Sequence, residues 1–205
     1  MLKKFLSRPE PFKMLFVRTA ESSGNLSGTL WGWMDAELTD FGRKQAFSVN
    51  SDVLIDYEDE FDSFHSSDLK RSCQTAQYAL GFPSESLVKQ NRLLRECNFG
   101  LKEGAHFDSM SDQEKEKLSS PDYQYPEGES FNDVHKRALM FLKQQSLGKH
   151  LIFTHGGIIW SLLQNFGVEQ MPENWSFLGT IIDEDTKNIK ELEFVWEFPT
   201  ISEDI

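Results

Sequence analysis

Short apolar runs alternate along this chain with stretches whose apolar residues recur at helical intervals. The run "MLFVR" (14–18) is bounded by polar residues and predicts a buried strand. After a Gly- and Ser-rich loop, Thr39 and Asp40 mark a helix start leading into residues 41–58. "FDSFHSS" (61–67) predicts a second strand, and residues 68–80 a helix stopped by Gly81 and Pro83. Residues 84–108 carry no period and are expected to be irregular. A polar helix is predicted over 109–120, ended by Pro121, with a loop over 121–129. Residues 130–145 predict an amphipathic helix that opens with Ser130 and Asp133 at capping-box spacing. "KHLIFTH" (149–155) is the third predicted strand, after which Gly156-Gly157 is expected to turn the chain into an apolar helix over 158–166. Two β-like runs, 177–183 and 189–198, close the pattern around the turn "EDTKN". Strands alternating with helices predict an α/β three-layer sandwich with a mainly parallel central sheet and an antiparallel edge. Residues 1–13 are expected to be an N-terminal extension and 14–205 a single domain.

Composition narrows the classes. A chain of 205 residues with 39% hydrophobic residues and 17 Phe has material for one sizeable core. Its net charge of −12 argues against sequence-independent nucleic-acid binding, which needs Lys and Arg to neutralise phosphates. No apolar run reaches the roughly 18 residues of a membrane span. Cys73 and Cys97 have no metal-ligand spacing and are expected to be reduced thiols in a cytoplasmic setting, with an organellar one left open by Lys3, Lys4 and Arg8 near the start. No cofactor or metal is expected.

Two strand ends share a plan. "LFVRTA" and "LIFTHGG" each run from apolar through polar to small residues. In open α/β sheets ligands bind beyond the carboxyl ends of the strands, where Arg18 and His155 would stand. Arg71 follows the second strand near the start of its helix, where free backbone N–H groups favour anions. Two guanidiniums, an imidazole and a helix N-terminus around one point would cradle a phosphate.

These motifs resemble the histidine phosphatase superfamily, the phosphoglycerate mutase-like group. Arg18-Thr19-Ala20-Glu21, with Asn25 beyond it, is similar to the family's opening Arg-His-Gly-Glu. "GWMDAELTDFGRKQA" (32–46), "SSDLKRSCQTA" (66–76), "LRECNFGLKEG" (94–104), "YPEGESFNDVHKR" (125–137) and "THGG" (154–157) follow in the family's order. The flavour of "YQYPEGES" is nearest to the sugar-phosphate, fructose-2,6-bisphosphatase-like members. The resemblance implies a two-step phosphoryl transfer through a phosphohistidine, with no metal. It assigns phosphate binding to Arg18, Asn25, Arg71, His155 and Gly156, and proton donation to Glu96. The catalytic positions are those of Thr19, Glu96 and His155.

The departure lies at Thr19, where the resemblance implies the nucleophilic histidine. A threonine hydroxyl stands roughly 2 Å closer to the backbone than an imidazole Nε2. It also lacks the chain-terminal amine that activates known threonine nucleophiles. Ala20 for the motif glycine and Lys102 for a frequent tryptophan are smaller departures. Another histidine, His65 or His106 above His135 and His150, would have to act in its place. The expectation is therefore a pseudophosphatase that retains an anion pocket for a phosphorylated small molecule and works by binding, with protein partners. A weakly active phosphomonoesterase and a structural subunit stay open beside it.

Overall fold

The computed structural model describes residues 1–49, 54, 58–81, 87–118, 120–168 and 176–196. Its frame is a six-stranded sheet in the order β3-β2-β4-β1-β5-β6, built from β1 (Phe12–Arg18), β2 (Ser63–Ser66), β3 (Val88–Gln90), β4 (Gly148–Thr154), β5 (Phe177–Ile182) and β6 (Ile189–Trp196). The β2-β3, β2-β4 and β1-β4 pairs are parallel, whereas β1-β5 and β5-β6 are antiparallel. The helices are α1 (Leu2–Leu6), α2 (Ser23–Leu26), α3 (Asp40–Val49), α4 (Lys70–Leu80), α5 (Asp112–Leu118), α6 (Phe131–Lys143) and α7 (Gly156–Gln164).

The near-continuous apolar character of β1 and β4 follows from burial on both faces. Side chains alternate across a strand. Leu15, Val17, Leu151 and Phe153 therefore enter one apolar layer with Phe5, Leu38, Ala46, Ala76 and Leu80. Phe12, Met14, Phe16 and Ile152 enter the other with Val134, Phe141, Ile158 and Leu162. The sandwich predicted from the pattern is the fold observed.

Several boundaries differ from the sequence reading. β1 starts at Phe12, two residues before the expected Met14, because Phe12 and Lys13 pair with Gly148 and Lys149. Within the expected extension, α1 buries Leu2, Phe5 and Leu6 in the first apolar layer. The buried Lys13 ammonium donates to the Leu6 carbonyl at 3.2 Å and to the Arg8 carbonyl, tying that segment to the sheet. β3 lies in the stretch expected to be irregular; only Val88 of its three residues is buried, so no alternation announced it. Gly156 and Gly157 belong to the first turn of α7 rather than to a turn before it. Other ends agree. The Ser130–Asp133 capping box forms, with Asp133 N–H donating to Ser130 Oγ at 3.2 Å and Ser130 N–H to Asp133 Oδ2 at 3.1 Å. Gly81 ends α4 at φ 68°. Pro83, the close of the 41–58 run before Glu58 and residues 197–198 lie outside the described residues. Both cysteines are free thiols, and among the described residues no helix is long and apolar enough to cross a membrane.

At the amino end of the sheet, two buried histidines share a serine. His150 Nε2 lies 3.0 Å from the Ser146 carbonyl, which fixes that nitrogen as the N–H donor. Ser63 then donates to His150 Nδ1 at 2.7 Å and accepts from His65 Nε2 at 2.8 Å. Burial pushes His65 down to about 4 and lowers His150 as well. Both rings fold neutral, so the unfolded chain binds more protons once pH drops below its own histidine range. Their contribution is full at pH 7 and is lost as pH falls from about 6.5 toward 4. Chemical denaturation at pH 7 and pH 5 is expected to show a loss of about 2 kcal/mol attributable to His65, absent from His65→Gln. An equal acid loss in wild type and variant would contradict it.

Candidate active site

Register places the site. Arg18 pairs with Thr154 and Ser66 with Phe153, so β1, β4 and β2 release their chains side by side at one edge of the sheet. The Thr19 N–H donates to the Thr154 carbonyl at 2.8 Å, and the Ser67 N–H to the Phe153 carbonyl at 2.9 Å, which extends the ladder into the loops. Arg18, Thr19, Asn25, Arg71, Glu96, His155 and Gly156 line one cavity of about 190 Å³ at that edge. All seven residues expected from the sequence are thus brought together.

Each is held differently. His155 is the N-cap residue of α7 and only 1% exposed. Its Nε2 is buried with no hydrogen-bond partner among the described residues. Burial, reinforced by the charges of Arg71, Arg137 and Arg18, holds the imidazole well below its usual range, so the ring is neutral. Arg71 is buried in the first turn of α4 and donates to the carbonyls of Gly32 at 2.8 Å and Met34 at 3.0 Å. Thr19 is 5% exposed at the end of β1. Asn25 faces the cavity while its Oδ1 accepts from the Ser22 hydroxyl and N–H, at 2.8 and 3.0 Å.

Glu96 sits on the opening of α7. Its Oε1 accepts from the N–H groups of Cys97 at 2.8 Å and Gly157 at 3.0 Å. A carboxylate at a helix N-terminus satisfies an orphan donor and meets the positive end of the macrodipole. This contact explains the second glycine of "THGG": a Cβ on residue 157 would lie 2.0 Å from Glu96 Oε1. The remaining histidines face elsewhere. His65 packs edge-on against Phe141 at 5.2 Å and bonds Ser63, His150 belongs to the same cluster, and His135 meets Asn165. His106 does not line the cavity, although its backbone bridges Thr29, which does.

Sequence reasoning missed the supports. The Arg137 guanidinium donates to the carbonyls of Leu93 and Glu96, both at 2.8 Å, and of Arg95 at 2.5 Å. It also forms a two-point pair with the Glu129 carboxylate at 2.8 and 3.0 Å. One buried cation therefore shapes the backbone that carries Glu96. Glu103 accepts from the N–H groups of Trp33 at 2.6 Å and Met34 at 2.8 Å, which fixes the loop whose carbonyls hold Arg71. Arg95 pairs with both oxygens of Asp68 at 2.7 Å. Glu129, Glu103 and Arg137 lie inside the quoted motifs, yet nothing in their spacing distinguishes a buried strut from a solvated charge.

The arrangement defines a class: an α/β sandwich with a cleft at the carboxyl ends of parallel strands, lined by two guanidiniums and a neutral imidazole. The chain belongs to the Histidine phosphatase superfamily (branch 1), whose pattern matches residues 14–188. It is 32% identical to putative phosphoserine phosphatase 2 of Hydrogenobacter thermophilus, over 78% of this chain and 82% of that protein. It is 33% identical to fructose-2,6-bisphosphatase TIGAR B of Danio rerio, over 73% of this chain and 58% of that one. The phosphoglycerate mutase of Thermus thermophilus superposes with a TM-score of 0.70 at 27% identity, over 91% of this chain and all of that one (100%).

Removing the central strut should be costly. Arg137→Met leaves the part-buried Glu129 carboxylate without its partner and the Leu93, Arg95 and Glu96 carbonyls without their donor, a loss of roughly 3 kcal/mol. Urea denaturation checks this, and Arg137→Met/Glu129→Gln is expected to recover part of the loss. A single variant within about 0.5 kcal/mol of wild type, the usual range for surface substitutions, would show that the pair does not organise the loop.

Proposed function

We propose that the protein is a pseudophosphatase: it binds the phosphate group of a small phosphomonoester in the Arg18–Arg71–His155 cleft and does not turn it over. The observation that carries this reading is the pairing of a complete anion cleft with Thr19 at the place where the resemblance puts the attacking imidazole. Arg18 and Arg71 supply charge for the phosphate oxygens, and donors to an ionised partner are the strong class of hydrogen bond. The unpartnered His155 Nε2 adds a hydrogen bond with no added charge, because its ring is neutral. Asn25 and the α7 opening at Gly156 complete the set of donors assigned to the phosphate.

Turnover lacks its first step. In the covalent route an imidazole nitrogen forms the bond to phosphorus as the ester oxygen leaves with a proton from Glu96. Thr19 offers no such nitrogen, and its hydroxyl reaches less far into the cleft. Removing the nucleophile from a covalent mechanism costs on the order of 10⁶ in turnover. Glu96, here accepting two backbone N–H bonds, then serves to order the opening of α7 rather than to donate a proton. The product of selection on such a site is recognition, either of a soluble ligand or within a protein assembly. A second reading, a weak phosphomonoesterase, draws on the phosphatase names of the relatives. It requires a nucleophile other than Thr19, either water or another residue.

Phosphate release from phenyl phosphate and sugar phosphates is expected to be indistinguishable between wild type and Arg18→Ala. Thr19→His is expected to raise it by roughly a hundredfold or more, since the rest of the cleft is in place. Wild-type turnover abolished by Arg18→Ala would support the phosphomonoesterase instead. In calorimetry with inorganic phosphate, Arg18→Ala should weaken binding by roughly tenfold to a hundredfold, the worth of a charged hydrogen bond.

A further inference from the structure

The cleft lining holds two chemically different sets of residues, and they specify more than phosphate. Beside the arginines, its lining includes the apolar side chains of Leu30, Trp31 and Phe99. Trp31 is fixed at two points. Its Nε1 donates to Ser27 Oγ at 3.1 Å. Its ring also lies flush on α2, where a Cβ at Gly24 would come within 2.6 Å of Trp31 Cγ. Phe99, 9% exposed, is held edge-on between Tyr125 at 5.0 Å and Phe131 at 6.4 Å. The wall is therefore rigid, aromatic and ordered before any ligand arrives.

Charge is the second constraint. Among the described residues lining the cavity, Arg18 and Arg71 are the cationic side chains and Glu96 is the one carboxylate. Several cations around it form ion pairs with acids. Arg95 pairs with Asp68, Arg137 with Glu129, Lys70 with Glu37 and Lys102 with Glu114. Two guanidiniums match one phosphate dianion. A second phosphate on the same ligand would meet no further lining cation among the described residues, in a chain that already carries −12. Of the lining hydroxyls, Ser22 is engaged with Asn25 and Thr29 with Ser27, which leaves fewer partners for a sugar's hydroxyls. The volume of about 190 Å³ is below the range of roughly 300–1,000 Å³ usual for larger small-molecule ligands.

We infer that the ligand of this cleft is a small monophosphate ester whose other half is an apolar group of aromatic size, resting on Trp31 and Phe99. Bisphosphorylated compounds are disfavoured. This rests on the phosphate-binding reading above and adds the identity of the non-phosphate half.

The test is calorimetry on the full chain with three probes: inorganic phosphate, phenyl phosphate and fructose 1,6-bisphosphate. Phenyl phosphate is expected to bind roughly tenfold or more tightly than inorganic phosphate, the scale of one aromatic contact. The bisphosphate is expected to show no such gain. Trp31→Ala should lower the ratio of phenyl phosphate to inorganic phosphate affinity to near one, and Trp31→Phe should keep most of it. Circular dichroism checks that both variants fold, and Phe99→Leu provides a second lowering of the same ratio should Trp31→Ala fail to fold. Inorganic phosphate that binds while phenyl phosphate gains nothing, or a bisphosphate that binds tightest, overturns this inference and leaves the phosphate reading standing. Absence of binding by all three probes overturns both.

Discussion

The parallel pairing of β1 with β4 is the constraint on which the rest of this molecule depends. With Arg18 opposite Thr154, the residues that follow, Thr19 and His155, leave the sheet as neighbours. A slip of one residue would turn every side chain of β1 to the other face, exchanging Leu15 and Val17 with Met14 and Phe16 between two differently packed layers. The cores on both faces therefore fix the register, and the register fixes the cleft. Burial energy across the whole sheet is in this way converted into the position of a few polar groups at its edge.

Those polar groups form a graded set of commitments. Arg137 and Arg95 are neutralised by Glu129 and Asp68 and act on the backbone around Glu96. Arg71 is held by two loop carbonyls, in a loop whose N–H groups are gripped by Glu103, and still faces the cavity. His155 keeps a buried nitrogen with no partner among the described residues. Carboxylates thus absorb the cations that shape the site, while Arg18 and Arg71 line the cavity itself. An acidic protein can keep a cationic pocket because the balance is struck locally.

Much of this was legible in the sequence, for identifiable reasons. β1 and β4 are buried on both faces and so show as apolar runs. α6 announces itself through the Ser130–Asp133 capping box, and the order of motifs around Arg18, Arg71, Glu96 and His155 pointed to the cleft. What stayed hidden depends on distant partners. α1 is a five-residue helix whose Leu2, Phe5 and Leu6 gain meaning only against the sheet. β3 is a strand because β2 offers it an edge. The role of Gly157 follows from a carboxylate 61 residues away. Arg137 is one more basic residue on an amphipathic helix until the loop it holds is folded beside it.

The central claim is that the oxyanion seat has Arg18, Arg71 and His155 as its walls. Titrating ¹⁵N-labelled protein with inorganic phosphate and following the imidazole nitrogens by NMR tests it at a single atom. The account predicts a saturable shift of the His155 Nε2 resonance, with His65 and His150 unmoved and the response weakened in Arg71→Ala. A titration that leaves His155 still while another histidine responds would contradict it.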